Sequence, residues 1–272
     1  MRNRTPNAVA ALAAAALALA AVLAAACTSS GVNQGQFNVV SLEQEWQLGQ
    51  QLERDLAKQL RLVNDRSALA YVNQVGQRIV SQTEMRNLPW KFHIVADKEI
   101  NAFNIPGGHV YVNTGLIGAA DNVAEFTGVL AHEISHGISR HGTEQLTRSY
   151  GLSIVAGLVL GENPAVYQQI LAQIVGTGTL AKFSRSAESE ADRLGVAYMA
   201  RAGYDPLGMA TMFEELLQRR RSQPGAVAQF FSSHPLTEDR IRAVRAQAAQ
   251  IDRSRLASRD SGYQNLRQRV GP

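Results

Sequence analysis

The segment AHEISHGISRHG, residues 131–142, holds three of the chain's six histidines within ten positions. Read as a helix, NVAEFTGVLAHEISHG (122–137) carries an apolar stripe at Val123, Phe126, Leu130 and Ile134, which must be buried against other elements. His132 and His136 are four apart, so they share a different face one turn apart. Two imidazoles at that spacing can meet one metal ion, and Glu133 beside the first can reach a water on it. This is the H-E-x-x-H arrangement of zinc peptidases. Catalytic zinc takes three protein ligands at about 2.0–2.2 Å and keeps one position open. It lowers the pKa of its water to roughly 7, and a glutamate takes the proton. The chain must therefore bury both an apolar and a polar helix face, and bring a third ligand to the polar one.

Another local histidine is not the expected ligand. The metzincin pattern requires glycine and histidine where this chain has Ser139 and Gly142. His141 falls one place off and reads as a structural histidine at the helix C-terminus, where a cation suits the dipole. A carboxylate from a later helix is the expected ligand. FSRSAESEADRLGVAYMA (183–200) offers Glu188 and Asp192, four apart on one face, and Glu190 on another. Glu188 can complete the site while Asp192 orients a ligand histidine through its other ring nitrogen. Spacing alone leaves Glu190 open as an alternative, although it reads as solvated.

The rest of the chain supplies packing elements. Residues 41–60 have helical spacing at Leu42, Trp46, Leu52, Leu56 and Leu60, with Gly49 on the same stripe. Residues 67–80 repeat the pattern with Leu69, Val72, Val75 and Ile79. KFHIVAD (91–97) alternates like a strand. A Pro-Gly-Gly turn leads into a second strand at 108–113. Helical pattern covers 121–141, 165–181, 184–202, 206–221 and 236–251. The apolar run 151–161 is too short to span a bilayer and suits a buried helix or lid. The expected fold class is α+β, mainly α, with a small antiparallel sheet ahead of the metal helix. One domain is expected at 41–251, followed by a polar, frayed tail at 252–272.

The N-terminus reads as a secretory leader over 1–26. Two arginines precede nineteen uncharged residues (8–26) that end in small residues before Cys27. Cys27 is the only cysteine, so no internal disulfide is possible. LAAAC resembles a bacterial lipobox, departing from it at Ala24, where leucine is usual. Cys27 is the expected lipidation site, residues 27–40 the tether, and Thr28 points to outer-membrane sorting. The formal charge is +4; loss of Arg2 and Arg4 with the leader brings it to about +2, too weak to argue for nucleic acid.

Four segments in order resemble the HtpX/Oma-type zinc endopeptidases, related to the CAAX prenyl endopeptidases. They are NAFNIPGGHVYVNTGLI (101–117), HEISHGISRH (132–141), SRSAESEADRLG (184–195) and SSHPLTEDRI (232–241), and the likeness spans about 41–251. The resemblance implies a zincin-like (gluzincin) domain with one Zn2+ held by His132, His136 and Glu188. It implies His234 and Arg240 near the zinc as oxyanion donors, or His234 in the open zinc position as a latch. It implies that the strand bearing Gly108, His109 and Val110 pairs with an extended substrate, joined by Asn101 and Ala102. No long apolar segment follows residue 26, which favours a periplasmic lipoprotein branch. The expected function is a zinc-dependent endopeptidase of misfolded or unassembled envelope proteins, with Glu133 as general base, anchored by lipid to the periplasmic face of the outer membrane. The alternative is a zinc-binding periplasmic chaperone or assembly factor with little cutting.

Overall fold

Ser41 starts the first helix with a reciprocal capping box. Its hydroxyl accepts from Gln44 N, and the Gln44 side chain accepts from Ser41 N at 2.9 Å. This helix, α1 (Leu42–Gln59), and α2 (Arg66–Val80), capped by Asp65, follow the predicted spans closely. The computed structural model describes residues 40–159, 161–180 and 182–271. The leader, Cys27 and the tether up to residue 39 lie outside the described residues.

Three short strands follow: β1 (Lys91–Val95), β2 (Ala102–Ile105) and β3 (His109–Asn113). The sheet order is β1-β3-β2, with β1 parallel and β2 antiparallel to β3. The expected antiparallel sheet is therefore mixed. β2 is the unforeseen element: it reverses the chain once, and the turn at Gly107 and Gly108 reverses it again, so β3 runs alongside β1 in the same direction. Both glycines have positive φ, 82° and 75°, the region L-residues avoid. The turn also rests on α1, where a Cβ at Gly49 would stand 2.0 Å from the Pro106 carbonyl oxygen. That explains a glycine in the stripe of a helix.

The sheet separates two apolar cores. Phe92, Ile94, Val110 and Val112 face α2 and the metal-site helices in the larger one. Phe103 and Tyr111 face Leu48, Leu52 and Leu56 of α1 in the smaller one. After α3 (Thr114–Ala119), helix α4 (Val123–Ile138) runs through the larger core, capped by Asn122. Its stripe, Val123, Phe126, Leu130 and Ile134, is fully buried. Helices α5 (His141–Tyr150), α6 (Leu152–Val159) and α7 (Pro164–Thr177) cover the smaller core. Among the described residues no helix is long and apolar enough to cross a membrane.

Helices α8 (Arg185–Arg201) and α9 (Leu207–Ser222) pack on either side of α4. The α4–α9 crossing needs glycine on both sides. A Cβ at Gly128 would lie 2.6 Å from Met209 Cα, and one at Gly208 would lie 2.3 Å from the Ala124 carbonyl carbon. A 3-10 turn (Pro224–Val227), α10 (Ala228–Ser233) and α11 (Glu238–Ala248) follow.

The tail expected to fray instead forms α12 (Ser261–Val270), capped by Asp260. Tyr263 and Leu266 are buried, and the Tyr263 hydroxyl donates to Ile117 O at 2.8 Å. Two large side chains three positions apart suffice to dock one turn of an otherwise polar helix. Leu266→Ala should cost about 2–5 kcal/mol in denaturant unfolding; a frayed tail would show a change within about 0.5 kcal/mol.

Candidate metal centre

The polar face of α4 points into the gap between α4, α8 and the chain that enters α11. His132, Glu133 and His136 are fully buried there. Ser184 caps α8, accepting from Ala187 N at 3.2 Å, and so fixes where that helix begins. Glu188 then falls opposite the histidines: Oε1 lies 3.3 Å from His136 Nε2 and Oε2 lies 3.6 Å from His132 Nε2. The two Nε2 atoms are 3.0 Å apart. His234, the residue that ends α10, brings Nδ1 to 3.0 Å from Glu188 Oε1 and 3.3 Å from His132 Nε2. Glu190 does not enter this group.

The residues fit a metal ion. Ligands on a tetrahedral ion with bonds near 2.0–2.1 Å stand about 3.3 Å apart, close to the separations here. His132, His136, Glu188 and His234 form one buried group able to hold a metal. Burial drives the His136 imidazole well below its usual pKa, which leaves it a neutral donor. Burial acts to raise Glu188, but the His234 charge, hydrogen bonds with His136 and His234, and the nearby His132 outweigh it and hold the carboxyl well below the usual range.

Each ligand histidine is backed on its other nitrogen. Asp192, one turn after Glu188, places Oδ1 2.9 Å from His132 Nδ1. His136 Nδ1 lies 2.9 Å from His141 Nδ1, and His141 Nε2 lies 3.3 Å from Glu190. His141 thus begins α5 instead of ending α4. Glu190, expected to be solvated, is half-buried against it. Phe183 stacks on the His136 ring at 4.0 Å. Spacing gave no sign of these contacts, because α4 stops at Ile138 and Arg140 turns the chain with φ 56°.

Arg240 is bound to both of the α8 acids named above. Its Nε and Nη2 donate to the two Asp192 oxygens at 2.7 and 2.8 Å, and Nη1 donates to Glu188 and to Pro235 O. These bonds tie it to the two acids beside the histidines, and four of its five N–H donors are used in them.

Glu133 bridges this group and the sheet. Asn104 of β2 donates to its Oε2 at 3.2 Å and to its carbonyl at 3.1 Å. Burial raises its carboxyl pKa, against the lowering effect of His234 and His132. His234 Nε2 lies 3.4 Å from its other oxygen. Asn104 was missed because β2 itself was not foreseen.

The substrate-pairing strand needs correction. β3 is the central strand, hydrogen-bonded on both sides, and Gly108, His109 and Val110 are buried. A further strand needs a free edge, which β3 lacks. Ala102 lies on β2, an edge strand. Asn101 is buried and donates to Gly178 O at 3.0 Å.

The model of peptidase family M48 matches residues 67–248, which include every residue of this centre. The beta-barrel assembly-enhancing protease of Escherichia coli (strain K12) is 33% identical over 225 residues, covering 79% of this chain and 46% of that protein. The mitochondrial metalloendopeptidase OMA1 of Schizosaccharomyces pombe is 30% identical over 215 residues, covering 78% and 63%. The chain spans about half the length of the bacterial relatives it matches.

Asp192→Asn, which removes the charge behind His132, should weaken metal affinity about 10–100-fold in competition with a chelator; unchanged affinity would mean that His132 is oriented without it. Arg240→Gln should destabilise the metal-free chain by about 3–5 kcal/mol, because it leaves Asp192 and Glu188 buried without their cation. A residue serving only as an oxyanion donor would leave unfolding unchanged.

Proposed function

The chain belongs to peptidase family M48, and from that premise we propose that it is a zinc-dependent endopeptidase in which His132, His136 and Glu188 hold the metal and Glu133 is the general base. The observation that carries this reading is the convergence of those four buried side chains, with one Glu133 oxygen held by Asn104 of β2 and the other 3.4 Å from His234 beside the candidate ligands. Bound zinc would polarise the scissile carbonyl and activate a water. The chain's own groups do the rest. Asn104 holds Glu133 in place, and a carboxyl raised by burial can take a proton from water and release it to the leaving amine. Asp192 and the His141–Glu190 pair fix the ring orientations of His132 and His136. The free edge of β2, which carries Asn104 beside Glu133, is the strand an extended peptide would join.

His234 favours a second, compatible reading. It sits between Glu133 and the ligands, touching both, and it is 1% exposed. In this position it would compete with water and a carbonyl for a place at the metal. This placement supports the reading of a latent enzyme, or of a metal-bound holding protein that rarely cuts.

The proposed substrates are misfolded or unassembled cell-envelope proteins. Support comes from the leader and Cys27 and from the Escherichia coli relative, which is named for beta-barrel assembly. Acylation at Cys27 would anchor the chain at the periplasmic face of the outer membrane.

The test follows casein cleavage by zinc-loaded protein spanning 28–272. Glu133→Gln should cut at least about 100-fold more slowly while retaining metal; equal cutting would remove Glu133 from the chemistry. His234→Ala should cut faster if His234 is a latch. A loss of about 100-fold would instead make it a transition-state donor.

A further inference from the structure

A second cluster of metal-ligating side chains lies on the opposite face of the sheet. Glu53 of α1, His93 of β1 and His109 of β3 project into it. His93 and His109 share this face with Tyr111, because residues of one parity on paired parallel strands point the same way. His93 Nε2 lies 3.5 Å from Glu53 Oε1, and His109 Nδ1 lies 3.6 Å from Glu53 Oε2. One donor atom from each of the three falls within 4.8 Å of the other two.

The cluster is poorly satisfied as it stands. His109 is fully buried, and neither of its ring nitrogens has a hydrogen-bond partner. The His93 Nε2 and the Tyr111 hydroxyl are likewise buried without one. Folded proteins rarely leave several such atoms unpaired at one spot without a water, an ion or a functional role to explain it. Water alone would answer the hydroxyl. Two imidazoles facing one carboxylate at 3.5–3.6 Å, near the about 3.3 Å separation of ligands around a tetrahedral ion, suit a cation better. The same separations recur at the family's metal centre on the other side of the sheet.

We propose that Glu53, His93 and His109 form a second metal site, for a divalent first-row transition ion such as zinc, that ties α1 to the sheet. Imidazole ligands favour such ions over calcium or magnesium. The side chains of His93 and Glu53 are 17% and 19% exposed, which gives the ion a way in. The occupant to displace is Lys91, whose Nζ donates to the Glu53 oxygens at 3.0 and 2.7 Å. Its side chain is half exposed and can swing into solvent when an ion takes the carboxylate. No residue is shared with the H-E-x-x-H centre, so this site stands apart from the proposed peptidase activity.

The test titrates metal-free protein with Zn2+ alone and counts bound equivalents. Wild type should bind two. Glu53→Gln and His93→Gln, both at partly exposed positions, should each bind one and should retain the metal-dependent casein cleavage of wild type. A His132→Gln/His136→Gln chain should still bind one equivalent and show a zinc-dependent rise in melting temperature, and adding His93→Gln should abolish both. Lys91→Gln should tighten the second site at least about threefold, because it removes a competing cation from the ligand. One equivalent in wild type, two in His93→Gln or Glu53→Gln, or unchanged affinity in Lys91→Gln would each overturn the site. Failure of casein cleavage with two equivalents bound would strike only the peptidase reading.

Discussion

The guanidinium of Arg240 is the interaction on which the metal centre depends. It reaches from α11 across to α8, grips both oxygens of Asp192 and donates to Glu188. Glu133, Glu188 and Asp192 are all buried in one region. Three carboxyl groups, one guanidinium and the imidazoles of His132, His136 and His234 therefore share one desolvated region, and His132, His136, Glu188 and His234 are placed so that they could hold a metal ion. Buried ion networks of this kind add little net stability over an apolar core. Their consequence here is geometric: Arg240 holds two acids one helical turn apart, one aimed at the metal and one at the histidine behind it.

Helix packing sets the distances around that network. α4 and α8 must approach closely enough for Glu188 to meet His132 and His136, and small residues permit it. Ala191 is fully buried on α8, and a Cβ at Gly195 would stand 3.4 Å from His132 N and 2.7 Å from the Met209 side chain. On the other flank, Gly128 and Gly208 let α9 seat against α4. The sheet then closes the site by way of Asn104. β2 therefore contributes a side chain to Glu133 and, among the described residues, pairs with a strand on one side only.

What the sequence disclosed follows from how local each signal was. The pair His132–His136 and the pair Glu188–Asp192 are helical repeats of four, so both faces could be read from spacing. The pairing of the two helices could not: spacing favours Glu188 over Glu190 only weakly, and the likeness to a known segment decides between them. Elements with no periodic signal were lost. β2 is four residues, buried throughout, and shows no usable alternation; without it the strands at 91–97 and 108–113 read as a small antiparallel sheet. The helix at 261–270 docks through Tyr263 and Leu266 in a run that is otherwise polar, so its composition suggested solvent. His141 was misplaced by a single event, the left-handed turn at Arg140, which starts a new helix and swings the ring back onto His136.

His234 and Arg240 come from one short stretch, yet the fold constrains them very differently. Arg240 lies in the first turn of α11, which Thr237 caps by accepting from Arg240 N, and its side chain is committed to two carboxylates and a carbonyl. His234 lies just outside α10 in extended backbone, φ −113° and ψ 93°, followed by Pro235. Its backbone N–H bonds to Phe230 O at 2.9 Å, and the neighbouring Ser233 carbonyl accepts from Phe183 N at 3.1 Å. Withdrawing His234 would break few backbone bonds and leave both flanking helices intact, whereas moving Arg240 would strip the charge balance from the centre. The segment therefore combines an anchor bound to two acids of α8 with a histidine held by few backbone bonds, the arrangement that the proposed latch would require.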